Sequence, residues 1–213
     1  MEVKLKICGM KVPDNIAQVV ELSPDYLGFI FYKGSKRYID DLQFSIVHEL
    51  PRGIKATGVF VDEDLDTVIS HAKAYNLAAL QLHGHESPQY CLQIMSVLPL
   101  VEVIKAFGID ETFDFSSLDA YIESVDYFLF DTQTANHGGS GKAFNWSLLE
   151  NYKGQKPYFL SGGIGIEEAA ALNKIQDPRL YALDINSRFE LEPGLKDLNK
   201  LKEFRNILSG IAQ

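Results

Sequence analysis

The chain has 213 residues, 46% hydrophobic and 23% charged, the composition of a globular protein long enough to bury a core without disulfide staples. Acidic residues outnumber basic ones for a net charge of −9, which argues against nucleic acid or an anionic membrane as partner, since either needs a clustered basic face. Two cysteines 83 positions apart exclude a disulfide scaffold and a cysteine-based zinc site; no apolar run reaches ~18 residues and no apolar leader follows Met1, so the cytoplasm is expected.

Short runs rich in β-branched and aromatic residues predict strands at 3–8, 26–31, 55–61, 78–82, 100–106, 127–131, 157–160 and 180–184. Many are apolar at consecutive positions, the pattern of parallel strands buried on both faces. Helical patterns fall between them. Ile16, Val19 and Val20 share one face behind Pro13-Asp14; Leu65, Val68, Ile69 and Ala72 form a stripe over 64–75. Ser87-Pro88 opens a helix with Tyr90, Cys91, Ile94 and Met95 on its apolar side, and the spacing predicts helices at 167–172 and 195–208. The eight strand starts lie 22 to 30 residues apart, with no linker or composition shift. A doubly wound open sheet usually has fewer strands. The expectation is α/β, a single-domain (β/α)8 TIM barrel spanning 1–213.

In such a barrel the site is built from the carboxyl ends of the strands, so the residues that close each run carry the information. They are Cys8-Gly9, the Ser35-Lys36-Arg37 loop, Asp62, His83-Gly84, Lys105, Asp131-Thr132, Ser161-Gly162-Gly163 and Asp184-Ile185-Asn186-Ser187. Any one of these is explained as a solvated turn; all eight converge on one rim.

Cys8 is a small buried hydrophobe or, once ionised, a nucleophile or base. As a thiolate base its thiol is expected below the ordinary range, helped by Lys6 or Arg37. Cys91, on its helix's apolar stripe, is assigned to packing. Asp131 closes Tyr127-Phe128-Leu129-Phe130 and is expected to be partly desolvated, as suits a general acid, or else to cap the following loop. Gly162-Gly163 before a helix, with Asn186-Ser187 after the eighth strand, offers N–H groups for a phosphate. The run Gly138-Gly139-Ser140-Gly141-Lys142 fails the P-loop pattern, with Asn136 and Ala143 at the required glycine and Ser/Thr, and reads as a lid. Arg37 is a surface charge or a two-pronged grip for a carboxylate. His83 is a candidate ligand contact or base, and no cluster has metal spacing. His48, His71 and His137 read as helix surface, helix surface and lid.

Lys6-Ile7-Cys8-Gly9, Gln81-Leu82-His83-Gly84, Phe130-Asp131-Thr132, Gly138–Lys142, Ser161-Gly162-Gly163 and Asp184-Ile185-Asn186-Ser187 fall in order over nearly the whole chain. Together they closely resemble the phosphoribosylanthranilate isomerases of tryptophan biosynthesis. The resemblance implies a cofactor-free Amadori rearrangement of a phosphorylated small molecule by a monomer or homodimer. It implies Asp131 as general acid, Cys8 as general base, Arg37 on the anthranilate carboxylate, and Gly162, Gly163, Asp184, Asn186 and Ser187 at phosphate-site positions. Three positions depart from the pattern: Lys36 replaces a proline, Arg188 a glycine and Asn145 an aspartate. Two rivals are considered. A histidine-pathway aminoaldose isomerase typically pairs two aspartates, where this chain has Cys8. A phosphate-ligand binder without chemistry has no need of both Cys8 and Asp131.

Overall fold

The computed structural model describes residues 3–40, 44–132, 146–172 and 175–210. Eight strands, β1 (Lys4–Cys8), β2 (Tyr26–Ile30), β3 (Lys55–Phe60), β4 (Ala79–Leu82), β5 (Glu102–Ile109), β6 (Tyr127–Thr132), β7 (Tyr158–Leu160) and β8 (Leu180–Ile185), pair in parallel and in sequence order. The barrel closes because β1 pairs with β8 as well as β2, setting Lys6 beside Asp184 and Tyr26. The expected (β/α)8 architecture is therefore present.

The two-sided apolar pattern has a direct structural meaning. Outward side chains such as Ile7, Phe29, Leu80, Phe128 and Leu183 are buried beneath the helical layer, while Tyr26, Ala79, Ile104, Leu129, Phe159 and Ala182 fill the interior. The amino-terminal end is stoppered by aromatic rings, with Tyr127 stacked on Tyr181 at 4.4 Å and Tyr26 edge-on to Phe159 at 5.3 Å. The Tyr26 hydroxyl donates to Glu102 at 2.9 Å, so this end has its own polar satisfaction and no channel to the opposite rim is needed.

The surrounding helices are α1 (Pro13–Val20), α2 (Phe44–His48), α3 (Leu65–Ala74), α4 (Pro88–Val97), α5 (Ala169–Leu172) and α6 (Leu198–Leu208). Asp64 caps α3 by accepting from the Thr67 N–H at 2.9 Å, and Ser87 caps α4 through the Tyr90 N–H, with Pro88 in the first turn as expected.

Several local expectations are corrected. The last helix begins at Leu198, not 195, because Leu195–Lys196 forms a short strand, β10, against β9 (Glu190–Glu192), and the Asp197 carboxylate caps the helix. Asn15 holds that strand by exchanging hydrogen bonds with the Lys196 backbone at 2.7 and 3.0 Å. The helix expected over 167–172 shrinks to Ala169–Leu172, and helical turns after β5 and β6 are 3-10 helices, Phe115–Tyr121 and Trp146–Asn151. The fifth strand starts at Glu102, leaving Leu100 94% exposed. His71 is not plain surface; its ring packs 4.8 Å from Phe31.

Candidate active site

Period-two alternation in β1 puts Lys6 and Cys8 on the same inward face, one pleat apart, at the end where the strands finish. Cys8 is 4% exposed and packs with Ile30 and Val59. The neighbouring strand makes room for it with Gly28, where a Cβ would stand 2.6 Å from the Cys8 sulfur. Gly9 then turns the chain away in the left-handed region, φ 78°, with a Cβ position already crowded by the Arg37 side chain and the Asn186 amide. Cys8, Arg37 and Asn186, from three different strand ends, are thereby brought to one place.

The expectation of a lowered thiol at Cys8 is overturned. Burial is the largest influence and pushes the thiol above its ordinary value, the nearby Asp184 carboxylate adds to that, and the Lys6 and Lys196 ammonium groups only partly oppose it. Cys91 is buried on α4, its thiol pushed up to about 11, in keeping with a packing role.

Lys6 is fully buried, and its ammonium donates to Asp184 at 2.8 Å and to Gln81 at 2.7 Å. Burial acts against charge on both members of the Lys6–Asp184 pair. Asp184 and Cys8 overcome it for Lys6, which ends above the ordinary lysine value, whereas Asp184 is left above the ordinary carboxyl value. Gln81 continues to His83, amide nitrogen to Nδ1 at 2.7 Å, and His83 Nε2 lies 3.5 Å from the Asp131 carboxyl. Asp131 is 8% exposed at the end of β6, the desolvated setting its apolar run anticipates.

Arg37 does grip a carboxylate with a two-pronged contact, but that carboxylate is Glu190 of β9, reached by Nε at 2.9 Å and by the terminal nitrogen at 2.6 Å. Lys196 donates to the same Glu190 at 2.8 Å and to the Asn186 side chain at 2.8 Å. Burial favours a neutral Glu190, yet Arg37 and Lys196 hold its carboxyl below the ordinary value; Lys196, itself buried, is pulled down to about 8. Two cations on one carboxylate leave a positive charge in excess at this corner.

The loops after β7 and β8 lie together as the sequence suggests. Gly162 and Gly163 both have positive φ, 88° and 68°, and Ser187 opens a 3-10 turn, Ser187–Phe189. Arg188 crosses between the loops, donating to the Gly163 carbonyl at 3.3 Å and to Glu167 at 2.8 Å. Asp184, at the end of β8 just before the second of these loops, is held by the Lys6 ammonium. The lid residues Gly138, Gly139, Ser140 and Gly141 lie outside the described residues. Sequence reasoning missed Gln81, Glu190 and Lys196. Gln81, a polar residue at an inward position of an otherwise apolar strand, is the signal that was present.

A closed parallel barrel with polar side chains gathered at the carboxyl ends of its strands has the architecture of the (β/α)8 enzymes. A family model for N-(5'-phosphoribosyl)anthranilate (PRA) isomerase matches residues 5–206. The N-(5'-phosphoribosyl)anthranilate isomerase of Parabacteroides distasonis is 44% identical over 94% of this chain and 90% of its own. The crystal structure of phosphoribosyl anthranilate isomerase from Thermotoga maritima superposes with a TM-score of 0.86 at 35% identity, covering 98% of this chain and 99% of that one. A phosphoribosyl anthranilate isomerase solved with reduced 1-(o-carboxyphenylamino)-1-deoxyribulose 5-phosphate gives 0.82 at 32% identity, covering 98% and 99%. The chain belongs to the N-(5'-phosphoribosyl)anthranilate isomerase family. Among the described residues no helix is long and apolar enough to cross a membrane.

Proposed function

We propose that Cys8 and Asp131 are the base and acid with which this isomerase of tryptophan biosynthesis rearranges N-(5'-phosphoribosyl)anthranilate, without cofactor, as one barrel domain in the cytoplasm. The observation that carries the reading is the placement of a thiol at the end of β1 and a carboxyl at the end of β6 in a barrel of this family.

The steps balance as follows. Protonated Asp131 gives its proton to the ribose ring oxygen as the C1'–O4' bond breaks, and the anilino nitrogen lone pair forms the C=N bond of a Schiff base. The Cys8 thiolate takes the C2' proton; the C–H electrons become the C1'=C2' bond and the iminium electrons return to nitrogen. The resulting enolamine, with its hydroxyl on C2', tautomerises to the ketone, 1-(2-carboxyphenylamino)-1-deoxyribulose 5-phosphate. Arg37, held by Glu190 along one edge, keeps N–H donors for the anthranilate carboxylate, and the excess positive charge of the Arg37–Glu190–Lys196 corner favours an anion there. The backbone of Gly162, Gly163, Asn186 and Ser187 takes the phosphate, between loops that Arg188 ties together.

The direct test is the decay of anthranilate fluorescence when purified protein meets freshly prepared N-(5'-phosphoribosyl)anthranilate in chelator-treated buffer. Asp131→Asn should slow that decay by ~10² to 10⁴-fold, the usual worth of a general acid. A rate unchanged by that substitution removes Asp131 from the role.

Gly163→Asp tests the phosphate cradle. Aspartate is among the few side chains that enter the left-handed region, at a cost of about 1–2 kcal/mol at φ 68° that leaves a barrel folded, while its carboxylate opposes an incoming phosphate. Like charges in contact cost several kcal/mol, so a substrate-like phosphate ester should bind about 10²-fold more weakly by calorimetry. Equal affinity in the two proteins would take the loop after β7 out of the site.

A further inference from the structure

Lys6, Gln81, His83 and Asp131 come from β1, β4, the residue after β4 and β6, yet they form one line of polar contacts through the carboxyl-terminal end of the barrel. Donor and acceptor roles along that line are forced from one end. An ammonium has three donors and no acceptor, so the Gln81 atom 2.7 Å from Lys6 Nζ is the amide oxygen. Lys6 is further pinned by Asp184 on its other side, so it does not swing away. The Gln81 NH2 is then the group that faces His83 Nδ1 at 2.7 Å, and because it only donates, Nδ1 must accept. A neutral imidazole with an accepting Nδ1 carries its proton on Nε2, the nitrogen 3.5 Å from the Asp131 Oδ2.

We infer that Lys6 and Gln81 are positioning residues that lock His83 in the Nε2–H tautomer, so that its N–H is aimed at the carboxyl of the general acid. The inference rests on the reading of Asp131 as that acid. Its chemical consequence is specific. With the His83 N–H facing Oδ2 at 3.5 Å, close enough to tighten into a hydrogen bond as charge develops there, the proton transferred to the ribose ring oxygen is the one on the Asp131 carboxyl. As it leaves, negative charge grows on the carboxylate, and an N–H already pointed at Oδ2 from 3.5 Å stabilises that charge by closing a few tenths of an ångström. The opposite tautomer would present a lone pair to the carboxylate at the moment its charge develops.

The tautomer is read directly from the 15N shifts and long-range 15N–1H couplings of His83 in uniformly labelled full-length protein. The expected pattern is a pyridine-type Nδ1 and a protonated Nε2. A protonated Nδ1 in the unsubstituted protein overturns the inference, whatever its turnover. Gln81→Glu replaces the donating NH2 with an acceptor of the same shape. It should place a proton on Nδ1 and lower kcat about 10- to 100-fold, the usual effect of removing an orienting outer partner, with KM within about threefold. Gln81→Met, which keeps the volume and removes both hydrogen bonds, serves if the glutamate variant does not fold, and should give mixed tautomers with a similar fall in kcat. Unchanged kcat in either folded variant overturns the positioning role. The underlying reading fails separately. If Asp131→Asn keeps full turnover while His83 remains the Nε2–H tautomer, Asp131 is not the acid and the hydrogen-bond assignment stands.

Discussion

Cys8→Ser is expected to lower kcat/KM by ~10² to 10⁴-fold while the protein stays folded. The side chain is nearly isosteric, and a serine hydroxyl in this buried position has the Lys6 ammonium beside it as a donor, so packing and hydrogen bonding are both served. What is lost is basicity, because a hydroxyl does not ionise at any accessible pH. The same argument sets the sign of the pH dependence in the native enzyme. Turnover that needs a thiolate rises with pH through the ionisation of Cys8, and burial moves that ionisation above the ordinary thiol value. The limb of the kcat/KM profile belonging to Cys8 should therefore lie to the alkaline side of a free thiol, and it should vanish in the serine variant. Near-native turnover in Cys8→Ser would sink the assignment. Loss of the folded circular dichroism spectrum would return Cys8 to the packing class.

Lys6→Met is expected to cost about 3–5 kcal/mol of stability, read as a fall in the urea midpoint at constant slope. The two charges are almost fully buried, so removing one leaves the Asp184 carboxylate desolvated and without the ammonium that holds it. The cost depends on pH in a direction that can be checked. In the variant the folded-state carboxyl of Asp184 sits further above its unfolded value, so the penalty is absent below the unfolded carboxyl pKa, near 3.9, and grows as pH rises above it. The deficit should accordingly shrink on acidification. Pairing the substitution with Asp184→Leu should restore most of the stability at neutral pH, because apolar groups of similar volume replace a buried ion pair at little cost. That double variant should nevertheless be a poor enzyme, because Gln81 has lost the ammonium that orients it. A Lys6→Met protein as stable as the native one would show that the Lys6–Asp184 contact is open to water.

The barrel was legible because its signals are local. Eight apolar runs at 22- to 30-residue spacing are read without knowing what each touches, and β2 and β4 differ from their predicted spans by one residue at one end. Cys8 and Asp131 were legible for the same reason, each the polar residue that closes its own strand. The last helix shows where local reading stops. Leu195 fits the apolar period of 198–208, and only the pairing of Lys196 with Glu190 and with Asn15, 181 residues away, makes it a strand.

The site divides along the same line. Which residues stand at the rim follows from strand length and from an alternation of two residues, both written in the sequence. Which of them touch is decided by closure and stagger of the barrel, which set Lys6 against Asp184, 178 residues away, and against Gln81, 75 residues away. Closure also buries Cys8 deeply enough to raise a thiol that its neighbouring cations alone would lower, and it gives Arg37 a carboxylate in Glu190 that no spacing announces. Strand identity is a property of a few consecutive side chains. Ionisation and hydrogen-bond partnership depend on distance and burial, and those exist only once the eighth strand has met the first.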